Sequence, residues 1–389
     1  MQFHSPKYGN QQDMKTANAT GLFAHIRARG QVTRKELEAE TGLSWGAVSN
    51  LTAGLLEAGY ITEQKADSPV GNSGNDSPTG TGTAGRIPTV LCAAAAPHCV
   101  LGLDINRSGF SGVVMNYRNE ILAQANARAT AAADCTNLDG MLHDVIRFAR
   151  HMQTLVPPGY HPTAAGIAMQ GIVDAENGIS VSMPECRGWR DVPLSHHVET
   201  VLGIPVRLAH DPDCLLIACN PSPSLRDAVL LRLDCGIGMA VMTDGHLHTR
   251  PGIYEIGHIP IKEDGAECVC GKRGCLEAYA SETGLMRQTG LPFDVLCGRA
   301  RAGDEGAKAA FSRAADALAH AASYACSLLC VRNLILCGSM LRAKDLFLDA
   351  FFARLNVVSR GDAPHVVVTE DGNAAVGAAM LASELSVKI

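Results

Sequence analysis

The sequence predicts an α/β body preceded by a small head of the winged helix-turn-helix type. Three observations carry this. Between Thr16 and Gln64, three runs with helical spacing are each closed by glycine and followed by a short extended piece. In residues 67–85, seventeen of nineteen are Gly, Ser, Pro, Thr, Asn or Asp, so this stretch buries too little apolar surface to offset its ordering entropy and reads as a mobile linker. From Arg86 to Ile389, strand-like and helix-like runs alternate, the pattern of an α/β fold. At roughly 150 residues per domain, 389 residues hold two or three.

The first helix candidate carries Leu22, Phe23, Ile26 and Ala28 and stops at Gly30. Thr33 caps a second, with Glu36 completing a capping box, and Gly42 ends it. Ser44 caps a third, in which Val48, Leu51, Leu55 and Leu56 recur at helical spacing before Gly59. Tyr60-Ile61-Thr62 begins a strand. Thr33–Thr41, the Gly42-Leu43 turn and Ser44–Ala58 have the order of a helix-turn-helix around Leu37, Leu43 and Val48. Trp45, Gly46, Ser49 and Asn50 then face away from that core. Asn50 has the chemistry for a bidentate contact to adenine, Ser44 or Ser49 for a phosphate or base edge, and Arg34 and Lys35 for backbone phosphates. The implied partner is double-stranded operator DNA. Glu38, where a small residue is usual, departs from the match, and the alternative is an ordinary three-helix bundle or a protein-docking module. A wing hairpin falls at Tyr60–Val90, with the linker as its tip. Arg86 at the linker's end suits a minor groove, or is simply solvated.

In the body, strands are expected at Cys99–Ile105, Ser111–Asn116, Ile121–Ala129, Ala164–Met169, Pro205–Leu208, Ala228–Leu233, Asn333–Cys337 and Val366–Val368. Helices are expected at Leu138–Leu155 and, rich in alanine, from Asp304 to Cys330. Hydrophobic residues make up 47% and charged residues 19%, which excludes a wholly disordered chain. The net charge of −6 argues against a nucleic-acid coat protein but is uneven. Up to Lys65 there are seven basic and six acidic residues, and beyond it 26 and 33. The first twenty residues lack the apolar core of a signal peptide, and Leu91–Ala96 and Ser327–Leu336 are too short or interrupted to span a bilayer. A cytoplasmic location follows, where clustered cysteines more often bind metal than form disulfides.

Of fourteen cysteines, only Cys268, Cys270 and Cys275 cluster, and with His258 they give His-x9-Cys-x-Cys-x4-Cys. Three thiolates and an imidazole are a closed set for a structural Zn2+, and Gly271 and Gly274 let the sulfurs converge. The alternative is a set of incidental buried thiols.

The segments Tyr254-Glu255-Ile256-Gly257-His258 and Cys268-Val269-Cys270-Gly271-Lys272-Arg273-Gly274-Cys275-Leu276-Glu277-Ala278-Tyr279 resemble the signature of the ROK family (repressors, open reading frames and kinases). Gly188-Trp189-Arg190-Asp191-Val192-Pro193-Leu194, Ile204-Pro205-Val206-Arg207 and Leu336-Cys337-Gly338-Ser339-Met340 are similar to further family segments in the same order. With its head, the chain is most similar to the transcriptional-regulator branch that includes the N-acetylglucosamine and xylose repressors. The resemblance implies an actin/hexokinase-like body of two α/β lobes around a sugar cleft, assembled as dimers or tetramers. It divides the chain into a head (1–66), a wing or linker (67–86), a first lobe (87–210, completed by about 373–389) and a second lobe with the zinc site (211–372).

The family's kinases use an aspartate base, which carries over to Asp211 in Ala209-His210-Asp211-Pro212-Asp213, where Glu-Asn-Asp-Ala-Asn is usual. Sugar-binding roles carry over to Glu255, Glu277 and His258, the last also a zinc ligand. His210 and Glu185 stand where asparagines are usual, and Gln170-Gly171-Ile172 replaces Pro-Gly-Pro, so the effector set is expected to be Glu185, His210, Asp211, Glu255, His258 and Glu277, with an altered ligand. Kinases need backbone N–H groups around the phosphates. Here Asp104-Ile105-Asn106-Arg107-Ser108 replaces Asp-x-Gly-Gly-Thr, and Asp234-Cys235-Gly236-Ile237-Gly238 has Cys for Thr. No catalytic residue is therefore expected, and Asp211 is a vestigial base. The expected function is an effector-controlled regulator of carbohydrate genes, with a sugar kinase as the alternative.

Overall fold

The computed structural model describes residues 11–65, 88–106, 109–128, 138–183, 186, 188–220, 225–250, 252, 254–370, 372–385, 387 and 389, with side chains from Met14 onward. The linker 67–86 with Arg86, the loop residues Arg107 and Ser108, and Glu185 lie outside the described residues.

The head consists of α1 (Gln11–Arg29), α2 (Arg34–Thr41), α3 (Trp45–Glu57), β1 (Ile61–Lys65) and β2 (Thr89–Ala93). Its boundaries follow from side-chain chemistry. The Thr33 amide donates to Glu36 Oε2 at 2.7 Å while the Glu36 amide donates to Thr33 Oγ1 at 3.2 Å, closing the capping box. Gly42, at φ 71°, takes the left-handed conformation that ends α2. Ser44 Oγ accepts from the Ala47 amide and starts α3. The strands β1 and β2 pair antiparallel from Ile61 opposite Ala93 to Lys65 opposite Thr89, as a wing requires. Leu91 and Ala93 are buried with Leu22, Ile26, Leu37, Val48 and Leu55, so β2 packs with the head although it falls past the expected boundary at residue 87.

In the first lobe, β3 (His98–Asn106), β4 (Gly109–Asn116) and β5 (Ile121–Ala127) form a meander. After α4 (Leu138–Thr154), β6 (His161–Met169) joins β3 in parallel. A small sheet follows, made of β7 (Ile172–Asp174), β8 (Ile179–Ser182) and β9 (Arg190–Val192). Then α5 (Leu194–Leu202) leads to β10 (Val206–His210), parallel to β6. The chain crosses to the second lobe through α6 (Asp211–Cys219). There the meander is β11 (Ala228–Leu233), β12 (Ile237–Thr243) and β13 (His246–Leu247). Helices α7 (Leu276–Ala280), α8 (Glu282–Thr289), α9 (Phe293–Arg301) and α10 (Glu305–Leu329) precede β14 (Asn333–Cys337), and α11 (Leu348–Val358) precedes β15 (His365–Val368), both strands being added in parallel. The sheet orders β10-β6-β3-β4-β5 and β15-β14-β11-β12-β13 are the same topology used twice. Two such sheets are the two-lobed α/β body that the resemblance implies.

The last helix, α12 (Ala374–Ala382), returns to lie on β3 and β6 of the first lobe and against α6. Glycines make this approach possible: a Cβ on Gly102 would stand 1.9 Å from the Ala375 carbonyl oxygen, and one on Gly166 2.0 Å from that of Ala378.

The head is docked on the body. Phe23 and Tyr117 meet edge to face at 4.9 Å between centroids, and His98 stacks on Tyr60 at 4.8 Å. The Arg27 guanidinium donates to the Tyr117 carbonyl at 3.1 Å, to Asn119 Oδ1 at 2.7 Å and to Ser383 Oγ. Ile389 lies 3.3 Å from where a Cβ on Gly54 of α3 would stand. Arg27→Met keeps the aliphatic stem but removes these donors. It is expected to cost about 1.5–3 kcal/mol and to speed proteolysis between head and body, read by limited digestion and denaturant unfolding.

Candidate functional site

A cavity opens between the lobes where the C-terminal end of β10 meets α6, the end expected to bear ligand groups in an open α/β sheet. It is lined by Ile172 and Val173 of the first lobe, His210 and Asp213 at the β10–α6 junction, and His248, Arg250, Tyr254 and Glu255 of the second. Its volume is about 20 Å³, about that of one water, and it is open to solvent.

Of the expected effector residues, His210 and Glu255 line this cavity. Asp211 does not. It is 3% exposed and held by the Arg232 guanidinium, which also reaches Asp234 Oδ2 at 2.5 Å. Glu277 is likewise committed, its Oε2 accepting from the Ile237 amide at 3.0 Å. His258 belongs to the metal cluster described below, and Glu185 is outside the described residues. Burial pushes the His210 imidazole down to about 4, with the Arg232 charge adding to the effect, so it is neutral at pH 7. Burial raises Glu255, offset by His258 and reinforced by Glu277.

Sequence reasoning missed four participants. Arg232 and Asp104 line a second cavity of about 410 Å³, and Asp104 Oδ1 is buried without a hydrogen-bond partner. Tyr254 adopts φ 62°, a conformation that disfavours side chains, and its hydroxyl meets His248 Nδ1 at 2.7 Å. The fourth is Asp213, 5% exposed and pushed up to about 7 by burial. The signal was present, since Asp213 stands where the family segment has Asn. A carboxyl with a native value above its unfolded one holds its proton more tightly when folded, so its burial costs stability as pH rises from about 4 through about 7. Asp213→Asn removes that ionisation. It is expected to raise unfolding free energy by on the order of 1–3 kcal/mol at pH 8 and by less at pH 5, measured as melting temperature at both values.

The metal-capable cluster forms where three short elements converge. His258 closes a 3-10 turn (Ile256–His258), Cys268 and Cys270 sit on a tight loop in which the Cys268 amide donates to the Lys272 carbonyl at 2.8 Å, and Cys275 N-caps α7. A Cβ on Gly274 would stand 1.8 Å from the Lys262 carbonyl oxygen, so only glycine permits this crossing. His258 Nδ1 lies 3.6 Å from Cys268 Sγ, and Cys270 Sγ lies 3.7 Å from Cys275 Sγ. All four ligand atoms fall within 4.8 Å of one another. Tetrahedral thiolate ligands on a zinc ion stand about 3.7 Å apart, so the donor set fits a metal ion. Cys268 and Cys275 are buried, and burial first of all pushes the Cys275 thiol up to about 12.

In the head, one face of α3 buries Val48, Leu51, Thr52 and Leu55. Ser44, Trp45, Gly46 and Asn50 are exposed, Trp45 at 52%, and Ser49 is half-buried. Arg34, expected at phosphate, is instead committed within the head: its Nε donates to Thr52 Oγ1 at 3.0 Å and its Nη2 pairs with Glu63 at 2.7 Å. Lys35 is exposed beside it.

A duplicated α/β body around a cleft, joined to a winged helix-turn-helix head, defines the class: an actin/hexokinase-like fold with an added N-terminal winged-helix module. The chain belongs to the ROK family, whose pattern matches residues 100–385. It is 26% identical to the DNA-binding transcriptional repressor Mlc of Escherichia coli K12 over 284 residues, 72% of this chain and 66% of that one, so the match spans just under two thirds of that relative. Over 400 aligned residues it is 22% identical to the DNA-binding transcriptional dual regulator NagC of the same organism, covering 95% of this chain and 93% of NagC. Among solved structures it is similar to a ROK family transcriptional regulator, a homologue of the E. coli Mlc protein, at TM-score 0.78 and 20% identity over 96% of both chains. It is also similar to a ROK family glucokinase from Streptomyces griseus, at TM-score 0.61 and 24% identity over 73% of this chain and 99% of that one. No helix among the described residues is long and apolar enough to cross a membrane.

Proposed function

We propose that the protein is a sequence-specific DNA-binding transcription regulator, a repressor of carbohydrate uptake or catabolism genes, controlled by a small effector in the cleft between the lobes. The observation that carries this is the exposed face of α3, with Trp45 and Asn50 presented on a helix whose opposite face is fully packed. The similarity to NagC takes in that head and supports the reading. Lys35 and, from the wing, Arg86 add phosphate and minor-groove contacts, while Arg34 positions α2 against α3 and β1. A structural zinc on His258, Cys268, Cys270 and Cys275 fixes the loop that carries Glu255 on the cleft wall. When bound it supplies a rigid cross-link and no reaction, because four protein ligands leave no position for water.

Effector binding parts the cleft and, through α6 and α12, biases how the docked head is held. A ligand shifts such an equilibrium only by its unequal affinity for the two states. The regulator acts in the cytoplasm as a dimer or tetramer, so its operator is pseudo-palindromic. The kinase reading is weaker. Arg232 occupies the carboxylate that would serve as base, and Asn106 stands where a phosphate loop needs glycine. Asn50→Ala is expected to weaken binding to operator DNA by about 1–3 kcal/mol and to relax specificity at one base pair, while leaving non-specific binding nearly unchanged. Fluorescence anisotropy with operator and scrambled duplexes measures both, and equal loss on the two duplexes contradicts the assignment.

A further inference from the structure

Asp213 lines the cleft at a position where the family segment has Asn, and no role has yet been given to it. The residue is 5% exposed and lines the cavity between the lobes, and no side chain among the described residues pairs with its carboxyl. Building on the effector-controlled regulator proposed above, we propose that the effector carries an ammonium group received by Asp213, an amine-bearing ligand such as an amino sugar rather than a neutral or anionic one.

The charges around Asp213 support this. Arg232, a half-buried guanidinium of the cleft, is consumed by Asp211 and Asp234. His210, at the end of β10, lines the same cavity but turns its Nε2 toward Asp211 Oδ1 at 3.5 Å, and burial keeps it neutral at pH 7. From the second lobe come His248, occupied by Thr243 Oγ1 at 2.6 Å and by Tyr254, and Glu255, a further acid. Arg250 lines the mouth but is exposed, and its charge acts on Tyr254, while burial alone governs Asp213. The position of Asp213 in the first turn of α6 gives a modest favourable dipole, on the order of 1 kcal/mol. That is well short of the cost of a desolvated carboxylate without donors. An ammonium supplies both the missing charge and three donors, whereas a hydroxyl supplies a donor alone and an anion would meet Asp213 and Glu255 as like charges.

Calorimetric titration of the full-length protein at pH 7.5 tests this with three probes that differ only at C2: D-glucosamine, N-acetyl-D-glucosamine and D-glucose, with galactosamine and galactose as a second pair. In each set the amine is expected to bind at least about tenfold more tightly than its neutral counterpart. Asp213→Asn is expected to erase that preference while changing the neutral probes by less than about threefold. Equal or tighter binding of a neutral probe, the same loss on all probes in Asp213→Asn, or no heat from either amine overturns the proposal. The wild-type comparison stands whether or not the variant folds. Operator binding is measured separately, so a neutral sugar that shifts operator affinity sinks the amine while leaving the regulator reading intact.

Discussion

Gly166→Ala is expected to leave little soluble protein and to destabilise what remains by more than about 3 kcal/mol. Gly166 lies on β6, directly beneath α12, and a methyl there would stand 2.0 Å from the Ala378 carbonyl oxygen and 2.4 Å from its carbon. No rotamer can relieve such a contact, because backbone meets backbone. The helix must lift, and lifting it breaks the packing of Ala375 and Ala379 on the first-lobe sheet together with the seat of α12 on α6. A Cβ on Gly377 would meet the Cys214 carbonyl at 1.8 Å on that second contact, so α12 is wedged from both sides. Gly298→Ala is the control: that residue lies within α9 with open space around it, and the added methyl is expected to stabilise by about 0.5–1 kcal/mol. Denaturant midpoints of the two variants against the parent separate a steric account from a general intolerance of substitution.

Cys275→Ser is expected to remove near-stoichiometric zinc and to lower the stability of the second lobe by at least 3 kcal/mol. Zinc held by a complete tetrahedral set contributes on the order of 10 kcal/mol in small domains, and part of that is replaced here by the surrounding core. Cys275 is the ligand to choose because it is fully buried, caps α7 and belongs to the apolar cluster with Leu276, Tyr279 and Ala280. Cys270 is exposed, so its replacement is expected to release the metal with a smaller loss of packing. Metal analysis and thermal unfolding with and without chelator read both effects. Unchanged metal content in Cys275→Ser contradicts the ligand assignment.

The elements that were legible in sequence are those whose boundaries are set locally. Thr33, Glu36, Gly42 and Ser44 fix the turn of the head through hydrogen bonds spanning three or four residues, and Asp304 and Cys330 are the caps of α10. The His258–Cys275 cluster was legible because ligand chemistry restricts residue types at a spacing. What could not be read depends on distant pairing. The strand β12 was missed because Gly236 and Gly238 break its pattern, and those glycines exist to let Glu277 and Pro212 approach. The expected roles of Asp211, Glu277 and Arg34 took each side chain as free. The fold gives them partners from far along the chain: Arg232 for Asp211, the Ile237 amide for Glu277, and Thr52 and Glu63 for Arg34. Burial of Asp213 is likewise a property of two lobes meeting, not of its neighbours in sequence.

The most direct test is a gel shift of the full-length protein on DNA from upstream of its own coding sequence, at moderate salt with excess competitor DNA. A DNA-reading α3 in a symmetric assembly predicts a discrete complex that survives competitor and needs two half-sites about one or more helical turns apart. It further predicts that Trp45→Ala or Asn50→Ala weakens the complex without altering the fold. No preference for any upstream sequence over competitor, with the protein folded and loaded with metal, contradicts the reading of the head as a regulator's DNA-binding domain.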